Sequence, residues 1–294
     1  MTIMASICDH IFDFHINSHY LASCVESLLK KNIVHTKSVI DPFVVEIMDE
    51  YEAVNDEQKY IEHIKTKKAS IFLNYKKAVC FVDENKIKSA ESLYYQLINP
   101  LIIKVMQLKN LLYVHGAAMQ IEKKGISVIG HRNAGKTTLS LITLLQGEKV
   151  LTDDCLFINE CLEAQSFYRP LHVNPNLGSI LNIEKELEQC KPYLHDEVEL
   201  NYDIDLFHPK QMAAKLKLES IFFSHVKNIQ STNIEKLTDK QKKDKLIDYI
   251  NENGGLPNSL ENVFCAMLDL PMYDLHLGND ILENPKIIKS FTKY

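Results

Sequence analysis

Apolar and polar residues fall along this chain in short segments whose period names an element. Residues 10–16, HIFDFHI, alternate in the manner of a half-buried strand. Residues 21–29 carry helical spacing, and residues 42–48, 70–74 and 79–82 read as strands, the last two joined by a turn at 75–78. Between residues 89 and 110, Leu93, Leu97, Leu101, Val105 and Leu108 line one helical face. Pro100 interrupts that face, so Asn99 is expected to cap a second helix with Pro at its first position. These elements predict a small α+β domain over residues 1–105 with no evident chemistry. Its cluster of Cys8, Asp9, His10, His15 and His19 matches no standard zinc spacing, and the strand reading accounts for it more simply.

The pattern changes in residues 106–294, which read as a second, α/β domain. Residues 111–120 are an apolar strand, residues 122–125 turn the chain back, and residues 126–129 form a second strand. That hairpin predicts a mixed rather than purely parallel sheet. A helix over 139–145 stops at Gly147, and apolar runs at 149–152 and 155–158 read as strands. Further on, residues 180–189 read as one helix and 218–223 as a strand. Residues 228–244 are polar and lysine-rich, most simply a solvated face. Within them Thr238 and Gln241 have capping-box spacing, opening a helix that ends at Gly254 and Gly255. A helix at 260–268, a strand at 271–277 and a C-terminal helix complete the chain, without repeats.

Between the hairpin and the 139–145 helix lies the chemistry. Gly130, His131, Arg132, Asn133, Ala134, Gly135, Lys136 and Thr137 match the G-x-x-x-x-G-K-[ST] phosphate loop, with Thr138 next. The glycines allow turns that aim backbone N–H groups at phosphate oxygens, and the helix N-terminus behind them favours anions. Lys136 supplies charge for the β- and γ-phosphates, and the Thr137 hydroxyl is placed to ligate Mg²⁺. Asp153 and Asp154 follow at a strand end, where one carboxylate suits the metal and the other a proton acceptor. Neighbouring strand residues face opposite ways, so both reach one site only if the strand ends or bends there. His115, on the strand before the loop, is either a packed residue or part of the site.

Composition narrows the partners. A net charge of -6 and a pI near 6.1 argue against nucleic acid. No apolar run suits a membrane span, and residues 1–6 lack the start of a signal peptide. Seven scattered cysteines without C-x-x-C fit reduced thiols in a cytoplasm. The chain has two arginines, Arg132 and Arg169, too few for the phosphate clamp of nucleoside monophosphate kinases. An acceptor with little phosphate is therefore expected, with the two arginines as candidates for transition-state charge.

The ordered set of Val114-His115-Gly116, the phosphate loop and Leu151-Thr152-Asp153-Asp154 resembles the catalytic domain of bacterial HPr kinase/phosphorylases. It is closer still to the HPr-kinase-like kinases of ribosomal-peptide and lasso-peptide modification systems. Tyr168-Arg169-Pro170, the Lys210 region and residues 271–275 resemble it more loosely. The resemblance implies a P-loop fold related to phosphoenolpyruvate carboxykinases, and transfer of the γ-phosphoryl group of ATP or another nucleoside triphosphate to a serine. It makes Asp153 the base, Asp154 the metal partner and His115 an aid at the γ-phosphate, with the two carboxylate roles open to exchange. The loop filling HRNA departs from true HPr kinases, which puts HPr itself, and the reverse phosphorylase reaction, in doubt as expectations.

The sequence thus predicts an ATP- and Mg²⁺-dependent serine kinase of a peptide or protein, with a homo-oligomer left open. A small-molecule kinase, or a nucleotide-sensing NTPase that regulates a partner, are the alternatives.

Overall fold

Cys8 and Asp9 adopt left-handed backbone (φ 48° and 62°) and fold β1 (Thr2–Ile7) antiparallel onto β2 (His10–Ile16). Two such residues make the turn whose twist matches that of the strands it joins. The computed structural model describes residues 1–34, 41–49, 60–190, 200–252 and 254–291. Those up to Leu108 form one unit and those from Lys109 onward a second.

In the first unit, helix α1 (His19–Leu29) starts where the Ser18 hydroxyl accepts the Leu21 N–H at 3.2 Å. It buries Leu21, Val25 and Leu29 and leads to β3 (Phe43–Asp49), parallel to β2. With β4 (Glu62–Lys65), β5 (Ala69–Leu73) and β6 (Lys77–Val82) the strands form a six-stranded sheet ordered β1-β2-β3-β6-β5-β4.

Pro100 does not break the following helix. The chain runs from α2 (Ala90–Leu93) through a π-helical turn, Tyr94–Ile98, into α3 (Asn99–Leu108). Asn99 is itself helical (φ -64°, ψ -50°), and its N–H donates to the Tyr94 carbonyl. A wider turn just before the proline makes room for a ring that would clash with a regular α-helical carbonyl.

The second unit is a mixed α/β layer structure. Strand β7 (Leu112–Ile121) turns at Glu122 and Lys123 (φ 49° and 68°) into β8 (Lys124–Ile129), antiparallel to it. Helix α4 (Lys136–Leu145) follows, then β9 (Lys149–Thr152), β10 (Cys155–Ile158) and β11 (Glu163–Gln165). β12 (Leu171–Val173) pairs with β13 (Leu200–Tyr202) in a small ribbon. The strand expected over 218–223 extends to β14 (Lys215–Val226).

β15 (Asn233–Lys236) lies within the polar run that shows no strand period, because it is an edge strand that buries Ile234 alone. β16 (Met272–Leu277) completes the sheet, ordered β11-β10-β7-β8-β14-β16-β15, with β9 on β7. β8, β14 and β16 run parallel, while β7 and β15 run antiparallel to their neighbours.

Helices cover both faces of this sheet. On one, α8 (Asp239–Glu252) and α9 (Glu261–Leu268) pack Leu246, Ile250, Phe264 and Met267 onto Ile129, Ile221 and Phe223. On the other, α4 packs Leu139, Leu141 and Leu144 against Val128, Phe222 and Leu275. Ile288 of α10 (Asn284–Phe291) joins that second core.

The single helix expected over 180–189 is instead two short ones, α5 (Asn176–Leu181) and α6 (Glu184–Gln189). Asn182 separates them in left-handed conformation (φ 57°), which asparagine tolerates better than most residues. A further helical turn, α7 (Ile204–Phe207), precedes β14. The capping box does form, with the Gln241 side chain accepting the Thr238 N–H at 2.9 Å. No helix among the described residues is long and apolar enough to cross a membrane, and all seven cysteines are free thiols.

Candidate active site

The phosphate loop leaves the sheet at the carboxyl end of β8. Gly130 sits so close to β14 that a Cβ there would lie 2.7 Å from the Ser224 carbonyl oxygen. Asn133 and Gly135 are left-handed (φ 64° and 87°), and the second of these turns the chain into α4. No side chain caps that helix, so its first-turn amides keep the positive end of the dipole open to an anion. His131, Arg132 and Asn133 are exposed on the loop, Ala134 is buried beneath them, and Thr138 is half-buried in the first turn of α4.

Lys136 is buried, and its ammonium donates to the carbonyls of Gly130 (2.7 Å) and His131 (3.0 Å). Burial pulls its pKa down, while the negative charges of Asp154 and Asp153 push the other way. The lysine therefore lies folded back on its own loop, within reach of the carbonyls that shape it.

β9 and β10 both run along the same edge of β7, and Asp153 and Asp154 form the break between them. The Asp154 N–H donates to the Thr152 hydroxyl at 3.2 Å, and the Gly116 N–H donates to the Asp154 carbonyl at 2.9 Å. This local turn is the bend that two adjacent carboxylates need if they are to serve one site.

Their surroundings differ. The Thr137 hydroxyl donates to Asp153 Oδ2 at 2.6 Å. Burial and the neighbouring Asp154 charge raise the Asp153 pKa to about 6, against the opposing effects of Thr137 and Arg169. For Asp154, burial opposes ionisation, but the Arg169 guanidinium and the His115 hydrogen bond prevail and hold its carboxyl well below the usual range. Arg169 Nη1 donates to Asp154 Oδ2, and His115 Nδ1 lies 2.9 Å from Oδ1. The Arg169 side chain is only 7% exposed against 29% for Asp154, so the guanidinium half of this ion pair is shielded from water.

Among the expected site residues, Lys136, Thr137, Asp153, Asp154, His115 and Arg169 are thus linked by direct contacts and neighbouring charge. Arg132 stays at the exposed loop tip, and His131 turns towards Glu252, 3.7 Å away, and the ring of Tyr249.

Two further residues join the cluster without a signal in the sequence. The Tyr249 hydroxyl of α8 donates to the Gly130 carbonyl at 2.9 Å and also to that of His115, tying the loop to β7. Tyr249 reads as an ordinary apolar position on an amphipathic helix, far along the chain from both partners. His172 Nε2 lies 3.4 Å from Arg169 Nη2 and adds to the field that lowers the Asp154 pKa. Its place two residues beyond the Arg169-Pro170 pair was the only available hint.

The donor set fits a hard cation shared with a nucleotide. Thr137 and Asp153 offer oxygen ligands beside the uncapped helix, and among the described residues no group of three or more His, Cys, Asp or Glu could hold a metal alone. Mg²⁺ commonly uses one or two protein oxygens and completes its shell with phosphates and water.

No family model and no curated protein matches the chain. Among solved structures it is similar to the HPr(Ser) kinase/phosphatase from Coxiella burnetii, with 12% identity and a TM-score of 0.32. That alignment covers 62% of this chain and 93% of the other. A likeness so loose carries no weight on its own, and the site stands on its geometry.

Proposed function

We propose that this chain is a Mg²⁺-dependent kinase that moves the γ-phosphoryl group of ATP, or a related nucleotide, to a serine hydroxyl of a peptide or protein. The observation that supports it best is the split between the two carboxylates at the phosphate loop. Asp153 shares its hydrogen bond with Thr137, while Asp154 is gripped by His115 and Arg169.

The loop amides and the start of α4 bind the nucleotide phosphates, and Lys136 leaves its two loop carbonyls to meet them. Mg²⁺, when bound, would supply positive charge to offset the charge that develops on the transferring phosphoryl group. Thr137 and Asp153 are the residues that would hold it, which exchanges the two carboxylate roles implied by the family resemblance. Asp154 then takes the proton of the attacking hydroxyl, oriented by His115. Arg169, already beside it, turns its charge towards the transferring group and frees the carboxylate to act. We place the reaction in a reducing, cytoplasmic compartment and assign acceptor binding to the first unit.

Incubation with ATP, Mg²⁺ and a library of serine-containing peptides, followed by intact-mass spectrometry, tests the reading. A gain of one phosphate on a peptide, lost in Asp154→Asn, is the expected result. Nucleotide turnover with no phosphorylated acceptor would favour a nucleotide-sensing NTPase instead, and efficient phosphorylation of a metabolite would favour a small-molecule kinase.

A further inference from the structure

We propose that the first unit carries a docking cleft for an acidic, extended peptide segment, built along the edge strand β4. The inference deepens the peptide-kinase reading and rests on it for the nature of the partner.

A cleft of about 480 Å³ opens between the β4–β5 turn and the ends of β3 and β6. Lys65, Lys67, Lys68 and Lys86 line it, against two carboxylates, Asp49 and Asp83. Both carboxylates are engaged: Asp83 pairs with Lys86 at 2.7 Å, and Asp49 accepts the Glu84 N–H at 3.0 Å. Lys68 donates to the Ser92 hydroxyl at 2.8 Å. Lys65 and Lys67 are exposed and form no ion pair among the described residues, so the cleft has two ammonium groups to offer. The cleft lining, four lysines against two aspartates, is net positive in a chain that is acidic overall.

Geometry selects a peptide over a compact anion. β4 ends its sheet and pairs only with β5 among the described strands, so one backbone edge is available to another strand. Register places Lys65 opposite Ser70, and Ser70 opposite Phe81, giving a row on one sheet face that runs from charge to an apolar floor. Lys65 is the last residue of β4 and Lys67 lies in the turn just beyond it, so both ammonium groups stand at one end of the open edge. A strand added to β4 would satisfy the backbone edge, while its Asp or Glu side chains meet Lys65 at the strand end and Lys67 in the turn beyond it. Lysine is a point charge without the planar fork that makes arginine the choice for bidentate phosphate binding.

Fluorescence anisotropy of the full-length chain with a fluorescein-labelled peptide alternating glutamate and valine provides the test, with no nucleotide present. Saturable binding is expected, weakened about tenfold when Lys65→Glu and Lys67→Glu are combined, and similarly when glutamine replaces glutamate in the peptide. The milder Lys65→Ala, Lys67→Ala pair, checked for an unchanged circular dichroism spectrum, should move affinity in the same direction. Equal affinity in wild type and both variants, or no saturation, overturns the proposal. So does displacement by inorganic phosphate as readily as by unlabelled peptide, which would mark a small-anion site. Because the assay contains no nucleotide, failure of phosphoryl transfer and failure of docking are read separately.

Discussion

At the scale of single residues, the site is a set of charges held in tension. Lys136 donates to two loop carbonyls at the start of the phosphate loop, and it is the residue that a phosphate would recruit. Lys136→Ala is expected to weaken binding of a non-hydrolysable Mg²⁺–ATP analogue by about 2 kcal/mol, the scale of a lost charge-assisted contact. Titration calorimetry reads this directly, and an unchanged affinity would make the loop motif a coincidence. The carboxylates separate by their dependence on metal. With Asp153 beside Thr137, Asp153→Asn should raise the Mg²⁺ concentration needed for half-maximal turnover. Asp154→Asn should lower turnover at saturating Mg²⁺ with little change in that requirement. In wild type the Mg²⁺ requirement should rise as pH falls through about 6, where Asp153 takes up a proton that competes with the metal. The reverse pattern in the two variants would restore the roles that the family resemblance implies. The sequence made the aspartates and the loop visible because their types and spacing belong to phosphate chemistry. It could not assign partners, since the Asp154 contacts to His115 and Arg169 depend on a bend set by Thr152 and Gly116.

At the scale of elements, strand–loop–helix geometry depends on two left-handed residues, and at one of them a side chain is strained. Gly135 has φ 87°, and a Cβ there would lie 2.5 Å from Leu277 Cδ1. Gly135→Ala is therefore expected to cost at least about 1–2 kcal/mol through backbone strain alone, with reduced nucleotide affinity as the loop shifts. Chemical denaturation together with the calorimetric titration above measures both effects. A variant with wild-type stability and affinity would show that the turn relaxes freely. The same scale shows why some elements were legible and others not. β7, β8 and α4 are buried over most of their length, so they stand out in the sequence as apolar runs bounded by turn residues and glycines. β15 sits at a sheet edge with one buried side chain, and Asn182 divides a helix through its own backbone preference, which hydrophobic spacing does not record. Pro100 is the converse: a residue that usually ends helices is accommodated by the π-helical turn before it.

At the scale of the whole molecule, the buried Asp153 and the half-buried Asp154 make stability and chemistry opposing demands on the same sheet. Asp153 has its pKa raised to about 6 in the folded chain, so between pH 4 and 6 the native state holds a proton that the unfolded state has lost. Its ionisation therefore lowers stability as pH rises through that window, and the whole cost is present above it. Asp154 has the opposite sign. Its depressed pKa adds stability above pH 4, which disappears only as the carboxyl is protonated in strong acid. Removing each charge should consequently have opposite effects. Asp153→Asn keeps an oxygen to accept from Thr137 while abolishing a buried charge. It is expected to raise stability at pH 7.5 by on the order of 2 kcal/mol, with little gain at pH 4. Asp154→Ala strands the buried Arg169 guanidinium and should cost about 3–5 kcal/mol at pH 7.5. Urea unfolding at the two pH values, followed by tyrosine fluorescence and circular dichroism to separate the two units, distinguishes these outcomes. If Asp153→Asn is destabilised at pH 7.5, the carboxylate is part of the scaffold. If it is stabilised and inactive, the sheet retains an unfavourable charge for the sake of the metal that Thr137 and Asp153 are proposed to hold.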